Sequence, residues 1–382
     1  MSAPVLDFTK MEEDILKKKL KRGIAIAVLL IGIFAAYLMW PKRTVATPQN
    51  ARELDLSATQ NTELYLAEED FAQQMAEEVL PYLEAHRTTG YIEGYDGQQL
   101  YWEQYTAQEP KAHIAIAHGY TDASYKFREI TYYFLKSGYS VSILDHRGHG
   151  YSYRSSTDLS KVTVASFDEY VKDYVLFIDM VVKPSLAEDE RLFIYAHSMG
   201  GAIAALLLEQ DDTMFDAAVL SSPMMEIQFN GLPENLAKLI VGGANLFGQG
   251  ESYIVGNGAY DDTYNYIDSS YNSEARYAYL HDAQKADEYY QTNGGSFRWL
   301  KAAIAATDEV NQNAASFTTN ALLFQAACDS TVGASGQNAF VDKAQNVQMV
   351  IVPNTKHNIL FAGNDVLVPY MNTILAFYEA NL

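Results

Sequence analysis

From about residue 89 onward, the hydrophobic residues fall into short continuous runs that alternate with longer runs of helical spacing. The short runs read HIAIAHG, YSVSILDH, RLFIYAH, DAAVLSS, ALLFQAA and VQMVIVP. The helical runs between them include FDEYVKDYVLFIDMVV and GAIAALLLEQ. Apolar strands that alternate with helices are typical of a mostly parallel sheet covered by helices, so the pattern predicts an α/β fold.

Two further elements are predicted before this alternation begins. The stretch TGYIEGYDGQQLYWEQYTA carries an Asp96-Gly97 turn signal between two strand-like runs, which predicts an antiparallel hairpin. Upstream of it, apolar residues recur every four positions at Phe71, Met75, Val79 and Leu83. This spacing predicts an amphipathic helix within residues 41–88, a region otherwise interpreted as a linker, and Pro81 is expected to kink or shorten it.

One interval interrupts the alternation. Residues 223–307 lie between two predicted strands and are rich in tyrosine, glycine and asparagine. Because parallel α/β sheets bind ligands at the carboxyl ends of their strands, an insertion at this point predicts a cap over that edge. The core would then comprise residues 89–222 and 308–382. A separate small domain of unrelated role is the alternative interpretation of the insertion.

The most hydrophobic segment is Gly23 to Trp40, GIAIAVLLIGIFAAYLMW, which holds no charge. As a helix it would rise about 27 Å, close to the thickness of a bilayer core. Basic residues precede it at Lys17, Lys18, Lys19, Lys21 and Arg22, whereas only Lys42 and Arg43 follow. This asymmetry predicts an uncleaved transmembrane anchor at 23–40 of a bacterial inner membrane, with residues 1–22 in the cytoplasm and the remainder in the periplasm. A signal peptide cleaved near Ala46 is the competing interpretation.

The composition narrows the range of partners and cofactors. The chain has 48 acidic and 27 basic residues, a formal net charge of -21, which disfavours binding to nucleic acid and adsorption on an anionic lipid surface. The single cysteine, Cys328, excludes an intrachain disulfide framework, and the eight histidines show no zinc-binding spacing. The sequence therefore predicts neither a metal nor an organic cofactor.

The first candidate for chemistry lies where the run LFIYA meets His-Ser and then a helical segment, in YAHSMGGAIAALLL. A serine at so sharp a strand-to-helix turn is typical of a nucleophile elbow, G-x-S-x-G, in which the residues two positions to either side must be small. Ala196 and Gly200 meet that demand, although alanine replaces the usual first glycine, and Gly201 lets the helix pack closely. Ser198 is the predicted nucleophile. A strand-helix junction that merely contains a serine is the simpler alternative.

The other members of a triad follow in the chain order Ser, Asp, His. Among the histidines, His281 and His357 alone lie after Ser198. His281 falls within the cap, whereas His357 follows the strand VQMVIVP directly and is therefore the predicted base. Asp329 follows the strand ALLFQAA and is predicted to orient the imidazole and to stabilise the imidazolium.

A tetrahedral intermediate also needs two backbone N–H groups directed at its oxyanion. The amide of Met199, the residue after the nucleophile, is the first expected donor. The second is expected from the loop after the third predicted strand, AHGYTD, in which Gly119 permits a tight turn and Tyr120 supplies the N–H.

Taken together, these motifs resemble those of a known family. AHSMGG, AHGYTD, LDHRGHGYS, CDSTV and TKHNIL are similar to the motif set of the bacterial lysophospholipase and monoacylglycerol lipase branch of the α/β-hydrolases, from about Gly90 to the C-terminus. The cap segments YNSEARY and NGGSFRWL resemble the lysophospholipase members in particular. The resemblance implies an α/β-hydrolase fold with Asp145 and Arg147 as structural residues behind the site, and we expect these two to form a buried ion pair. The chain departs from the pattern at Ala196 and in its apolar N-terminal segment.

The sequence thus predicts a membrane-anchored serine hydrolase that cleaves the acyl ester of lysophospholipids or monoacylglycerols through an acyl-enzyme. The cap tyrosines are expected either to line an acyl-chain groove or to fill the cap itself. Arg276 is a candidate contact for a lipid phosphate, and a structural salt bridge is the equal alternative for it. The rival functions are a carboxylesterase for small soluble esters and a non-catalytic, membrane-tethered binding protein.

Overall fold

The structure, a computed structural model, describes residues 17, 19, 24, 27–40, 44–57 and 62–382 of the chain. The chain divides into two compact units, residues 1–43 with 229–240 and residues 44–228 with 241–382. The predicted cytoplasmic segment 1–22 lies outside the described residues apart from Lys17 and Lys19, and the predicted anchor 23–40 lies partly outside them.

Within the first unit, residues 27–38 are helical. Large apolar side chains of this helix are exposed, with 63% of Val28 and 52% of Phe34 accessible to solvent. Asn235 donates a hydrogen bond from Nδ2 to the carbonyl oxygen of Tyr37 at 2.9 Å. No helix in the described ranges combines the length and the apolar character that a membrane crossing requires.

The second unit is built on a nine-stranded sheet of the described residues. Its strands are β1 (Arg52–Glu53), β2 (Arg87–Glu93), β3 (Gln99–Tyr105), β4 (Ala112–Ala117), β5 (Tyr139–Leu144), β7 (Arg191–His197), β8 (Ala217–Ser221), β10 (Ala321–Ala326) and β11 (Val347–Val352), with β6 (Lys161–Val162) and β9 (Gly294–Gly295) paired separately. The order is β1-β11-β10-β8-β7-β4-β5-β3-β2. Only the pairs formed by β3 are antiparallel among the neighbouring strands described. β4, β5, β8 and β10 are buried along their whole length, as expected for strands covered on both faces.

Helices cover the two faces of this sheet and form part of the insertion. The first, α1, runs through the consecutive segments Phe71–Gln74, Met75–Val79 and Leu80–His86. The others are α2 (Arg128–Lys136), α3 (Phe167–Phe177), α4 (Met199–Leu208), α5 (Glu234–Leu246), α6 (Glu274–Ala286), α7 (Phe297–Asn313), α8 (Ala334–Val341) and α9 (Asn364–Glu379). The predicted α/β architecture is confirmed.

The predicted hairpin and amphipathic helix are both present. β2 and β3 pair around the Asp96-Gly97 turn, in which Gly97 has a φ of 79° that suits glycine. In α1 the residues predicted to face the core are buried: Phe71, Met75, Val79 and Leu83. The helix does not end at Pro81, because a wider, π-helical turn at Met75–Val79 precedes it and accommodates the residue without an N–H.

One strand lies in the region that the sequence suggests to be a linker. Arg52 and Glu53 of β1 pair in parallel with Val350 and Ile351 of β11, so that β1 forms this edge of the sheet. Leu54 continues the pairing by donating its N–H to the carbonyl oxygen of Ile351 at 2.8 Å, and its side chain is buried. A strand of two residues is too short to show an alternating pattern, which is why the sequence did not predict it.

The insertion between β8 and β10 contains α5, α6, β9 and α7. Helix α7 packs against α4 of the core, and the boundary predicted between cap and core at residue 307 falls within α7.

Candidate active site

The serine at the end of β7 adopts the strained backbone of an elbow. Ser198 has φ 52° and ψ -115°, a conformation that non-glycine residues rarely adopt, and α4 begins at the next residue. The N-terminal end of α4 therefore points at the serine, where its dipole favours negative charge. Ala196 is fully buried between Ala117 of β4 and Leu220 of β8 in the sheet register, so the methyl group that replaces the usual glycine is accommodated there.

The glycines after the serine allow the helix to approach the sheet. A Cβ on Gly200 would lie 2.1 Å from the carbonyl oxygen of Ala117, and a Cβ on Gly201 would lie 2.5 Å from Cβ of Pro223. Both distances are far below van der Waals contact, and the first involves backbone. The elbow geometry thus depends on the absence of a side chain at these two positions.

The three predicted triad residues lie together at the carboxyl ends of β7, β10 and β11. Oγ of Ser198 is 2.8 Å from Nε2 of His357, and Nδ1 of His357 is 2.7 Å from Oδ2 of Asp329. The second carboxylate oxygen, Oδ1, accepts hydrogen bonds from the N–H groups of Thr331 at 2.8 Å and Val332 at 3.1 Å. Asp329 is therefore fixed by its own turn, and the imidazole is held in the tautomer that leaves Nε2 ready to accept the serine proton.

The loop predicted to complete the oxyanion hole lies against the nucleophile. A Cβ on Gly119 would lie 3.2 Å from Cβ of Ser198, so the backbone of this loop passes directly beside the serine. Within the described part of the chain, the backbone N–H groups of Tyr120 and Met199 donate no hydrogen bond to protein atoms. The ring of Tyr120 stacks on Trp299 of α7 with centroids 4.1 Å apart, which fixes the loop from the insertion side.

Asp122, which is not among the predicted site residues, supports this loop. Its Oδ2 accepts a hydrogen bond from the N–H of Gly119 at 3.1 Å, and its Oδ1 accepts one from Nζ of Lys126 at 2.7 Å. Burial opposes ionisation of this carboxyl, yet the Lys126 ammonium holds the pKa of Asp122 at about 2. An acidic residue three positions after the loop glycine, with a lysine four positions further on, is the signal that could have identified it.

The expected ion pair between Asp145 and Arg147 is absent, and that prediction is wrong. Arg147 instead binds Asp173, with Nε 2.6 Å from Oδ2, and also contacts Asp96 and Glu169. Asp145 accepts the N–H groups of Ser124 at 2.7 Å and Tyr151 at 3.0 Å. Both residues lie beyond the end of β5, and each side chain is held by partners elsewhere in the fold, so the two do not pair. Complete burial raises the pKa of Asp145 to about 7.

Arg276 occupies the structural salt bridge, the second of its two expected roles. Its side chain is fully buried and pairs with Glu129 of α2, with Nη2 2.7 Å from Oε1 and Nε 3.0 Å from both carboxylate oxygens. Nη1 and Nη2 also donate to the carbonyl oxygen of Ala362 and to Oδ1 of Asn364. With these donors engaged inside the protein, Arg276 does not present its guanidinium to a lipid phosphate, and the phosphate contact expected for it is not what the structure shows.

Several cap tyrosines pack against one another. The rings of Tyr264, Tyr266 and Tyr271 each lie within 5.0–5.7 Å of the ring of Tyr277, measured between centroids. For these four residues the structure favours the second expected role, that of filling the cap.

Comparisons with known proteins place this geometry in a family. Residues 108–364 match the family described as serine aminopeptidase, S33. Probable lysophospholipase L2 of Haemophilus influenzae is 27% identical over 298 residues, which cover 78% of this chain and 93% of that protein. Lysophospholipase L2 of Escherichia coli is 26% identical over 294 residues, covering 75% and 86%. Monoglyceride lipase of Mus musculus is 31% identical over 154 residues, covering 40% of this chain and 46% of that protein.

The fold is shared with solved structures as well. A soluble variant of monoglyceride lipase from Saccharomyces cerevisiae, in complex with a substrate analog, superposes with a TM-score of 0.64 at 16% identity, covering 77% of this chain and 94% of that one. At this identity the likeness establishes the fold, which is the α/β-hydrolase fold. Because the family match spans most of the chain and contains Ser198, Asp329 and His357, the protein belongs to the serine aminopeptidase S33 family and is an ester hydrolase of the lysophospholipase and monoacylglycerol lipase branch of the α/β-hydrolases.

Proposed function

We propose that the protein hydrolyses the acyl ester of lysophospholipids or monoacylglycerols through an acyl-enzyme formed on Ser198. The observation that carries the proposal is the continuous hydrogen-bonded chain from Ser198 through His357 to Asp329, on a strained elbow at the amino end of a helix. Relatives that this chain covers over most of their length support the lipid substrate class, since their names are those of lysophospholipases.

In the first half of the reaction, Nε2 of His357 accepts the Ser198 proton as Oγ attacks the acyl carbonyl carbon. The carbonyl oxygen becomes an oxyanion that the N–H groups of Met199 and Tyr120 stabilise, helped by the dipole of α4. Asp329 stabilises the imidazolium without taking its proton. Collapse of the intermediate breaks the ester bond, and His357 gives its proton to the departing glycerol oxygen.

The second half returns the enzyme to its starting state. A water molecule attacks the acyl-enzyme, and His357 accepts one of its protons. The second tetrahedral intermediate collapses to a fatty acid, and the proton on His357 returns to Oγ of Ser198. The sum is one ester and one water converted to one acid and one alcohol.

A direct test compares the full-length wild-type chain with Ser198→Ala in detergent micelles. Free fatty acid is measured from a lysophosphatidylcholine and a monoacylglycerol, with a short nitrophenyl ester and an aminoacyl nitroanilide as further arms. Ser222→Ala is the matched control, because the Ser222 hydroxyl is buried and makes no hydrogen bond with the residues described. We expect release from at least one lipid, a loss of about 1000-fold or more in Ser198→Ala and no change in Ser222→Ala.

The other outcomes separate the rivals. Hydrolysis confined to the nitrophenyl ester would indicate that the substrates are small soluble esters and not lipids. Hydrolysis confined to the nitroanilide would indicate the peptidase activity that the family description names. If folded wild-type protein leaves every substrate intact, the acyl-enzyme proposal fails and a binding role replaces it.

We further propose that residues 23–40 anchor the chain in a bacterial inner membrane, with the catalytic unit in the periplasm. The support is the charge-free run with basic residues before it and the exposure of the apolar side chains on residues 27–38. Alkaline extraction of membranes and protease treatment of spheroplasts test the placement. Protein that remains with the membrane and is digested from outside would agree. A mature chain that begins after Ala46 would establish cleavage instead.

A further inference from the structure

A short segment of the insertion is joined by hydrogen bonds to the loop that carries the base. We call residues 267–272 the docking segment and residues 354–358 the base loop. Oδ1 of Asn272 accepts the N–H of Lys356 at 2.7 Å, and Nδ2 of Asn272 donates to the carbonyl oxygen of Asn354 at 3.4 Å. Nζ of Lys356 donates in turn to the carbonyl oxygen of Ser269 at 2.9 Å.

The closest of these connections is next to the base. Asn358 directly follows His357, and its backbone N–H donates to the carbonyl oxygen of Ser270 at 3.2 Å. Its side-chain Nδ2 donates to Oγ of Ser270 at 2.7 Å. Ser270 of the docking segment therefore binds both the backbone N–H and the side-chain amide of Asn358.

Asn358 also reaches the residue before the nucleophile. Nε2 of His197 lies at hydrogen-bond distance, 3.1 Å, from Oδ1 of Asn358, and both side chains are buried. Complete burial lowers the pKa of His197 to about 4, so that its ring is neutral near pH 7. The immediate neighbours of Ser198 and His357 in the sequence are thus bonded to each other, alongside the bond between the two reacting groups.

The docking segment has a firm support of its own. Ser273, the next residue, caps α6, and its Oγ accepts the N–H of Arg276 at 3.4 Å. Arg276 is the buried arginine that pairs with Glu129 of α2. The ring of Tyr271 also stacks on Phe361, just beyond the base loop, with centroids 5.4 Å apart. Motif YNSEARY, which the triad does not use, supplies these contacts.

We propose that Asn358 is a positioning residue that, held by Ser270, keeps the imidazole of His357 in line with Ser198, so that the docking segment helps to set the geometry of the catalytic base. This inference rests on the proposed function, since it assigns the positioning to the reaction at Ser198. Hydrogen-bonded contacts of buried side chains restrict the loop, and displacement of a catalytic group by about 1 Å lowers a rate by about 100-fold. Removal of the link therefore slows chemistry and leaves substrate binding unaltered.

The test uses the full-length chain with Asn358→Leu, Ser270→Ala and Ser270→Thr. The primary readout is the second-order rate at which a fluorophosphonate labels Ser198, which needs an activated serine and no lipid substrate. The secondary readout is kcat and KM with lysophosphatidylcholine. We expect about 10- to 100-fold slower labelling in Asn358→Leu, with kcat lowered alike and KM within about 2-fold. Ser270→Ala should slow labelling about 3- to 10-fold, and Ser270→Thr, which keeps the hydroxyl, should remain within about 2-fold.

Two controls separate positioning from general damage. Asn293→Ala removes an exposed asparagine whose Nδ2 bonds carbonyl oxygens of the insertion itself, at Gly258 and Ala259, and should change neither readout. The double variant Ser270→Ala with Asn358→Leu should be no slower than Asn358→Leu alone, because the Ser270 hydroxyl acts through Asn358.

Labelling of Asn358→Leu and Ser270→Ala at the wild-type rate would overturn the inference. A loss that only matches the fraction of unfolded protein, or one confined to KM, would also overturn it. Wild-type protein that is labelled at Ser198 but inactive on both lipids would instead refute the proposed substrate class, and the labelling rates would still decide the role of Asn358. If the wild type is not labelled at all, Ser198 is not an activated nucleophile and both proposals fall.

Discussion

The elbow at the end of β7 and the docking segment of the insertion both bear on the same triad, yet they are built from different kinds of contact. At the elbow, backbone meets backbone, and the space between α4 and Ala117 holds only the hydrogen of Gly200. At the docking segment, side-chain amides and hydroxyls bond a loop more than 80 residues away in sequence, as Asn272 does with Lys356. The first arrangement tolerates almost no added volume, whereas the second depends on particular polar atoms.

The largest effect is expected where the insertion is fixed to the core. Arg276→Met leaves the carboxylate of Glu129 buried without its cation, and breaking a buried pair in this way costs about 3–5 kcal/mol. Denaturant unfolding should show this loss, while the ratio of lysophospholipid to monoacylglycerol hydrolysis by the folded protein should not change. The double variant with Glu129→Gln should recover part of the loss. If Arg276→Met is as stable as the wild type and loses activity only on phosphate-bearing substrates, the hypothesis that Arg276 binds the lipid phosphate would be supported instead.

At the elbow, Gly200→Ala tests the backbone contact. The added methyl carbon would lie 2.1 Å from the Ala117 carbonyl oxygen, so α4 must shift, at a cost of about 1–3 kcal/mol. Fluorophosphonate labelling of Ser198 should slow with it. Gly242→Ala is the matched control, because Gly242 also lies in a helix but has open space around its Cα. Equal behaviour of the two variants would show that the elbow is more pliable than its geometry indicates.

The buried carboxyl of Asp145, directly after β5, gives a pH-dependent prediction. The folded protein holds the proton of Asp145 up to a pKa of about 7, whereas the unfolded chain releases it near 3.8. The contribution of this group to stability is therefore complete below about pH 3.8 and is lost as pH rises toward 7, by up to about 1.4 kcal/mol per unit. The Tm of the wild type minus that of Asp145→Asn should fall between pH 5 and 7. A constant difference would mean that Asp145 ionises normally.

The smallest effect is expected at the first position of the elbow motif. Ala196→Gly restores the usual residue in a buried strand, where glycine is less stable than alanine by about 0.5–1 kcal/mol. Labelling and kcat should stay within about 2-fold of the wild type, and Tm should fall slightly. A large gain in rate would show that the alanine methyl group distorts the site.

Local patterns carry most of what the sequence could predict. The buried strands, α4 and the three triad residues follow from continuous apolar runs and from a serine, an aspartate and a histidine at strand ends, and the structure brings Ser198, Asp329 and His357 within hydrogen-bond distance. The sequence also placed Tyr120 and Met199 at the loop and helix beside the serine.

Pairings between distant residues could not be read in the same way. Neither the bond of Arg147 to Asp173 nor that of Asn358 to Ser270 has a spacing rule, because each depends on how the chain folds back between its members. From the sequence, Arg276 could either bind a lipid phosphate or form a structural salt bridge. The structure shows the salt bridge, and its partner Glu129 lies 147 residues earlier in the chain. A single sequence thus predicts the residues whose role follows from a local repeat or motif. It does not predict the residues whose role depends on a contact with a distant part of the chain.

The short strand β1 bears on how the protein can be shortened. It covers the outer edge of β11, the strand that leads to His357. A chain cut back to the family match at residues 108–364 would lose this cover and, at the opposite side, the hairpin that pairs with β5. The strands β11 and β5 would then become the two edges of the sheet. Their unpaired backbone N–H and carbonyl groups could pair with strands of other chains. Soluble versions of this enzyme should therefore begin before Arg52, since shorter ones are expected to aggregate.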